Sequence, residues 1–183
     1  ALTRALLDAG HRVKACDLVH DFYALCPHPQ LSTHTLDYQN EVDVRAMVAG
    51  SDWVFHLIST TKPASSSANM AFDVQTNIVP TIHLLEACSA ASVERVLFAS
   101  SGGTVYGIPK QLPIHEDTPP HPIVSYGLTK LAIERYGELF ERSTGLRFYS
   151  LRIGNPYGPR HYDANQGVIP VFIRQVRKGQ RLN

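Results

Sequence analysis

The sequence predicts an α/β fold built on a doubly wound parallel sheet. Strand-like and helix-like stretches alternate along the chain without internal repeats. Two apolar runs, Trp53–Ile58 and Arg95–Ala99, are of the continuous kind found in strands buried on both faces of a parallel sheet. Each run ends in a small, polar segment, Ser59–Asn69 and Ser100–Gly107, at the carboxyl end of a strand where open α/β sheets hold their ligands.

The elements follow in order. Leu2, Ala5, Leu6 and Ala9 have helical spacing and stop at Gly10, a helix C-terminus with no start signal of its own. His11–Cys16 is a short strand closing on Asp17, as in the second half of a βαβ unit. A carboxylate there can accept both hydroxyls of an adenosine ribose and would repel a 2′-phosphate, which favours NAD over NADP. Residues 19–30, with Pro27 and Pro29, read as a loop, and Leu31–Leu36 as a strand leading to Asp37 and Tyr38. Glu41–Ala49 is a short helix, with Val42, Val44, Met47 and Val48 apolar. His56, inside the first apolar run, reads as a hydrogen-bonded core histidine.

A long helix is expected from Ala71 to Ala90, bent or divided near Pro80, because proline costs a helix interior about 3 kcal/mol. Pro109–Pro122 is a proline-rich loop, and Ser125 is the expected N-cap of a helix running to Thr144 and closed by Gly145. Leu146–Ile153 is a further strand, Gly154–Arg160 turns out of it, and Val168–Lys178 is an amphipathic helix. The division expected is residues 1–160 for an incomplete dinucleotide-binding domain and 161–183 for the start of a substrate domain.

Composition narrows the function. The 183 residues are 44% hydrophobic and carry a net charge of +1, with basic residues scattered, which gives no reason to expect nucleic acid or an anionic membrane as partner. No run reaches the length of a membrane span. Three cysteines, Cys16, Cys26 and Cys88, form neither an even framework nor a C-x-x-C pair, so free thiols in a reducing compartment, the cytoplasm, are expected. Nine histidines lack ligand spacing, and no metal is expected.

Tyr126 and Lys130 stand one helical turn apart, so both leave the same face of their helix. A phenol with a pKa near ~10 is a poor base at neutral pH, but a neighbouring ammonium favours the phenolate. Such a pair can move a proton on or off a hydroxyl.

Asp17, Asp37, Val54–Leu57, Asn77 with Leu84–Ala87, Ser100–Ser101 with Val105–Gly107, Tyr126-x-x-x-Lys130 and Arg152-x-x-Asn155-x-Tyr157-Gly158-Pro159 run in that order over nearly the whole chain. In this order the chain resembles the extended short-chain dehydrogenase/reductases, and within them the NAD-dependent nucleotide-sugar epimerase/dehydratase group. The resemblance implies a Rossmann-like fold and NAD as cofactor. Asp17 would hold the adenosine ribose, Asp37 and Tyr38 would flank the adenine, and Leu57, Ile58 and Ser59 would line the cofactor with Ser100 and Ile153. Lys130 would bond the nicotinamide ribose and lower the pKa of Tyr126. Asn77 would serve either the cofactor or the positioning of its helix, and Asn155 and Val168 would meet the nucleotide of the substrate. A homodimer through the helices at 71–90 and 125–143 is a further implication.

The activity implied is C4 epimerisation of a UDP-sugar of the UDP-glucose/UDP-galactose type, through a transient 4-keto sugar. The alternatives are a nucleotide-sugar 4,6-dehydratase or reductase, or a non-catalytic dinucleotide-binding protein. Dehydratases of the group carry an Asp-Glu pair where this chain has Gly103-Thr104, which favours epimerisation. In two respects the chain departs from the pattern. The glycine-rich phosphate loop and the strand before it are absent from this sequence, so weak NAD binding is expected of it. The hydroxyl usual at position 102 is replaced by Gly102, leaving Ser101 or Thr104 to supply it.

Overall fold

The computed structural model describes residues 1–18, 27–158 and 167–182. The expected loop over 19–26 with Cys26, the end of the turn at Pro159 and Arg160, and the expected boundary between residues 160 and 161 lie outside the described residues. The elements are α1 (Leu2–Asp8), β1 (Val13–Asp17), β2 (Leu31–Thr35), α2 (Glu41–Val48), β3 (Trp53–His56), α3 (Met70–Asp73), α4 (Val79–Ala90), β4 (Arg95–Ser101), α5 (Ser125–Thr144), β5 (Arg147–Ile153) and α6 (Val168–Arg177).

Among the described residues, all strand pairing is parallel. β1 pairs with β2, and β3, β4 and β5 form a second ladder with β4 in the middle. No ladder joins β1 to β3 among the described residues. Doubly wound sheets run in the order 3-2-1-4-5-6. The five strands here match places 2 to 6 of that order, and place 1 falls between β1 and β3. One strand differs from expectation. β3 is not buried on both faces: Trp53 is 45% exposed and packs its ring under the Arg95 guanidinium, 4.5 Å from the ring centroid.

Proline divides the long helix as its chemistry requires. Val74–Ile78 forms a π-helical turn between α3 and α4, and Pro80 sits in the first turn of α4. Pro80 has no N–H to give, and its ring would clash with the carbonyl of an α-helical turn below it. The Thr81 hydroxyl, one residue on, donates to the Asn77 carbonyl at 2.6 Å. α5 ends as expected on Gly145, whose φ of 79° is the left-handed conformation glycine adopts freely.

The main core joins Leu36, Val44 and Val48 to Leu84, Leu85 and Cys88 of α4, Val96 and Phe98 of β4, and Ile133, Leu146 and Phe148. His56 lies inside it with 4% exposure, its Nε2 3.0 Å from both the Tyr38 and Thr81 hydroxyls. Burial, reinforced by the charge of Lys130, pulls His56 down from 6.5 to about 3, so it is neutral in the folded protein. The unfolded chain binds that proton near pH 6.5 and the folded chain only near 3. Stability therefore falls as pH drops through this window, by up to about 1.4 kcal/mol per pH unit from this group. Urea unfolding between pH 7 and 4 should show a shallower slope for His56→Gln than for the parent.

Candidate active site

α5 brings Tyr126 and Lys130 to the carboxyl ends of β3 and β4. Lys130 is buried, and its Nζ donates to the Ala99 carbonyl at 2.9 Å, lying 4.6 Å from the Phe98 ring centroid and 5.4 Å from that of Tyr126. Burial lowers Lys130 from 10.5 to about 8, with the Asp73 carboxylate acting the other way. Tyr126 does not follow the expected direction. Burial raises its pKa above 10, a side-chain hydrogen bond with Ser59 lowers it, and the Asp73 charge raises it. The ammonium four residues away is engaged with a carbonyl and two ring faces, so in this structure loss of water outweighs the attraction expected from sequence.

The start of α5 also differs from expectation. Ser125 is its first residue rather than its N-cap, and the Val124 cap position makes no side-chain bond. The exposed amides are met from across the chain: Ser125 N–H reaches Ser67 Oγ at 3.2 Å and Tyr126 N–H reaches Ser66 Oγ at 3.0 Å. The Ser125 hydroxyl turns to Asp73. Nothing local in the sequence signals these partners, which are some sixty residues upstream.

The other expected residues divide into those at the strand ends and those turned inward. Asp17, Asp37, Leu57, Ser59 and Ile153 are exposed, and Ile58 is half-buried, at or just past the ends of their strands. Ser101 pairs in register with Ile153. The Asp37 carboxylate accepts the Gln39 N–H at 2.9 Å. Tyr38 points into the core, its hydroxyl held by Thr81 and His56, so its side chain cannot flank an adenine. Asn77 is likewise buried: its Oδ1 accepts the Thr60 N–H at 3.0 Å and its Nδ2 donates to Asp73 and Thr60, a positioning rather than a ligand-facing arrangement. Asn155 and Val168 are exposed, and no described contact joins them to the Tyr126–Lys130 pair.

Ser100 is committed elsewhere. Its hydroxyl donates to Glu134, a carboxylate with 2% exposure, one turn beyond Lys130. Arg152 of β5 closes on the same carboxylate, with Nη2 2.7 Å from Oε2, while its Nη1 donates to the Tyr106 hydroxyl at 2.8 Å. This network locks β4, β5, α5 and the segment after β4 together. In the sequence its one local signal is Glu134, standing four after Lys130.

Gly102 has a physical reason of its own. A Cβ there would lie 2.8 Å from the Arg152 carbonyl oxygen, while its N–H bonds the Ile153 carbonyl at 2.8 Å. Restoring the usual hydroxyl by Gly102→Ser should destabilise by about 1–3 kcal/mol, the range for overpacking, read as a lowered Tm. Of the two residues expected to stand in, Thr104 has a buried Oγ1 without a partner among the described residues. Its carbonyl abuts Gly127, where a Cβ would come within 2.6 Å, so the Thr104 segment and the first turn of α5 are in close contact beside Tyr126.

The NAD dependent epimerase/dehydratase family matches residues 1–183, the whole of the sequence. The chain belongs to this family. The UDP-glucose 4-epimerase of Mycolicibacterium smegmatis is 35% identical over 188 residues, covering 98% of this chain and 59% of that protein. The crystal structure of UDP-glucose 4-epimerase from Thermotoga maritima with UDP-glucose superposes with a TM-score of 0.88 at 30% identity, over 99% of this chain and 60% of that one. That of the Thermus thermophilus enzyme in complex with NAD gives 0.86 at 29% identity, over 99% and 60%. The chain thus spans about three fifths of the length of these relatives, and its strands and helices are those of their Rossmann-type fold.

Proposed function

We propose that this protein catalyses NAD-dependent C4 epimerisation of a UDP-sugar of the UDP-glucose/UDP-galactose type. The observation that carries the reading is the Tyr126–Lys130 pair at the carboxyl ends of parallel strands, with no carboxylate at positions 103 and 104 to supply the acid and base of a dehydration.

The residues present suit a dinucleotide. Asp17 ends β1 as an exposed acid, and Leu57 and Ile153 leave apolar side chains 54% and 41% exposed at the ends of β3 and β5. Asp17 and Asp37 would hold the adenosine half, Leu57, Ile58, Ser59 and Ile153 would line the nicotinamide half, and Lys130 would bond its ribose. NAD, when bound, supplies the hydride acceptor and donor for the sugar carbon. Tyr126 takes the proton of the C4 hydroxyl as the carbon becomes a ketone and returns it when the ketone is reduced on its opposite face. Ser59 stands beside the phenol, and of the two hydroxyls expected to serve the sugar Ser101 is the partly exposed one, Thr104 Oγ1 being buried. Below about pH 8 Lys130 keeps its positive charge and favours that phenolate.

The reading includes a homodimer, supported by exposed Val74 and Val79 around the start of α4 and Leu128 and Leu139 on α5. It is tested by incubating the complete natural protein with UDP-galactose. Accumulation of UDP-glucose without net NADH supports it, and a 4-keto-6-deoxy product refutes it.

A further inference from the structure

Asp73, the last residue of α3, is fully buried, with 0% exposure. Its two oxygens take four side-chain hydrogen bonds, all from neutral donors. Thr61 Oγ1 and Asn77 Nδ2 reach Oδ1 at 2.6 and 3.0 Å, and Ser125 Oγ and Thr129 Oγ1 reach Oδ2 at 2.6 and 2.9 Å. A carboxylate in the interior is costly unless its acceptors are filled, and a core position could have been apolar. What distinguishes this one is where its donors come from.

Ser125 and Thr129 lie four apart on α5, as do Tyr126 and Lys130. Successive helical residues are rotated by about 100°, so the two pairs form adjacent strips of one helix face. Gripping the first strip fixes the direction in which the second points. The other oxygen holds Thr61, whose carbonyl accepts the Ser59 hydroxyl at 3.1 Å, and Ser59 stands beside the Tyr126 side chain. Asn77, bonded to the same oxygen, holds the Thr60 amide. One carboxylate thus ties the first turn of α5 and the loop after β3 to a common point.

We propose that Asp73 is a positioning residue for catalysis: it sets the rotation of α5 and the place of the Ser59–Thr61 loop, so that the Tyr126 phenol and the Lys130 amine meet the substrate at a fixed angle. The inference rests on the proposed epimerase reading for its kinetic consequences only. Among the described residues, the charged and titratable groups facing the pair are Asp73 from α3 and His56 from β3, the latter neutral above about pH 3.

The test uses the complete natural protein with tyrosine labelled at Cζ with carbon-13, the Tyr126 resonance being identified by its loss in Tyr126→Phe. In Asp73→Asn the negative charge beside the phenol is gone, and Tyr126 should titrate at lower pH than in the parent. With UDP-galactose, kcat should fall by about 10-fold or more with KM within a factor of about two, as for a misoriented reacting group. Thr129→Ala, which removes one donor from Oδ2 and suits a helix interior, should lower kcat in the same direction with KM kept. It decides the matter if Asp73→Asn does not fold. A folded Asp73→Asn with a lower Tm but the parent's titration and kcat would make Asp73 merely structural and overturn the proposal, as would an unchanged kcat in Thr129→Ala. If the protein does not turn over UDP-sugars at all, the epimerase reading fails alone: the ligand-free titration still shows whether Asp73 acts on Tyr126.

Discussion

Tyr126→Phe in the complete natural protein should lower kcat for UDP-galactose by about 10²–10⁴-fold, the usual contribution of a positioned general base, and leave nucleotide binding by calorimetry nearly unchanged. The ring keeps its place, because the backbone of residue 126 is held by Ser66 and the helix by Asp73. Only the hydroxyl beside Ser59 is lost. An interaction made to the reacting proton affects turnover, whereas binding energy drawn from the nucleotide does not depend on it. A non-catalytic dinucleotide-binding protein would have no turnover to lose.

The largest stability effect is expected at Glu134. Glu134→Ala removes the carboxylate that serves Ser100 and Arg152, leaving a guanidinium and a buried hydroxyl without their acceptor. Breaking a buried ion pair from one side costs about 3–5 kcal/mol, and the lower end applies because the Arg152 side chain retains 22% exposure. For a protein of this size that is a fall in Tm of roughly 6–12 °C. Replacing both partners, as Glu134→Leu with Arg152→Met, should recover much of the loss in a denaturant titration, since no charge is then left unpaired. Equal losses in the single and double variants would mean that packing, not charge, decides this site.

The strands and helices were legible in the sequence because their signals are local. Apolar runs gave β3 and β4, Gly145 gave the end of α5, and Pro80 gave the break that the π-helical turn realises. The Tyr126–Lys130 pair was legible for the same reason, being a spacing on one helix. Its electrostatics were not. Whether a lysine four residues away lowers a phenol's pKa depends on how much water both groups lose and on the Asp73 charge, and those are set by contacts across tens of residues. Ser66, Ser67 and Asp73, which hold the start of α5, come from the segment after β3 and carry no pattern that links them to it. Tyr38 and Ser100 were expected to face the cofactor, but their side chains turn inward, to His56 and Glu134. A strand end fixes where a backbone is, and the core decides which side chains remain to face a ligand.

The central claim is that Tyr126 serves an oxidation and re-reduction at C4 with no net loss of the hydrogen. The most direct measurement follows that hydrogen: UDP-galactose deuterated at C4 is converted by the complete natural protein in ordinary water, and the UDP-glucose formed is read by mass spectrometry and proton NMR. The account predicts deuterium retained at C4 of the product; deuterium exchanged for solvent hydrogen there would contradict it.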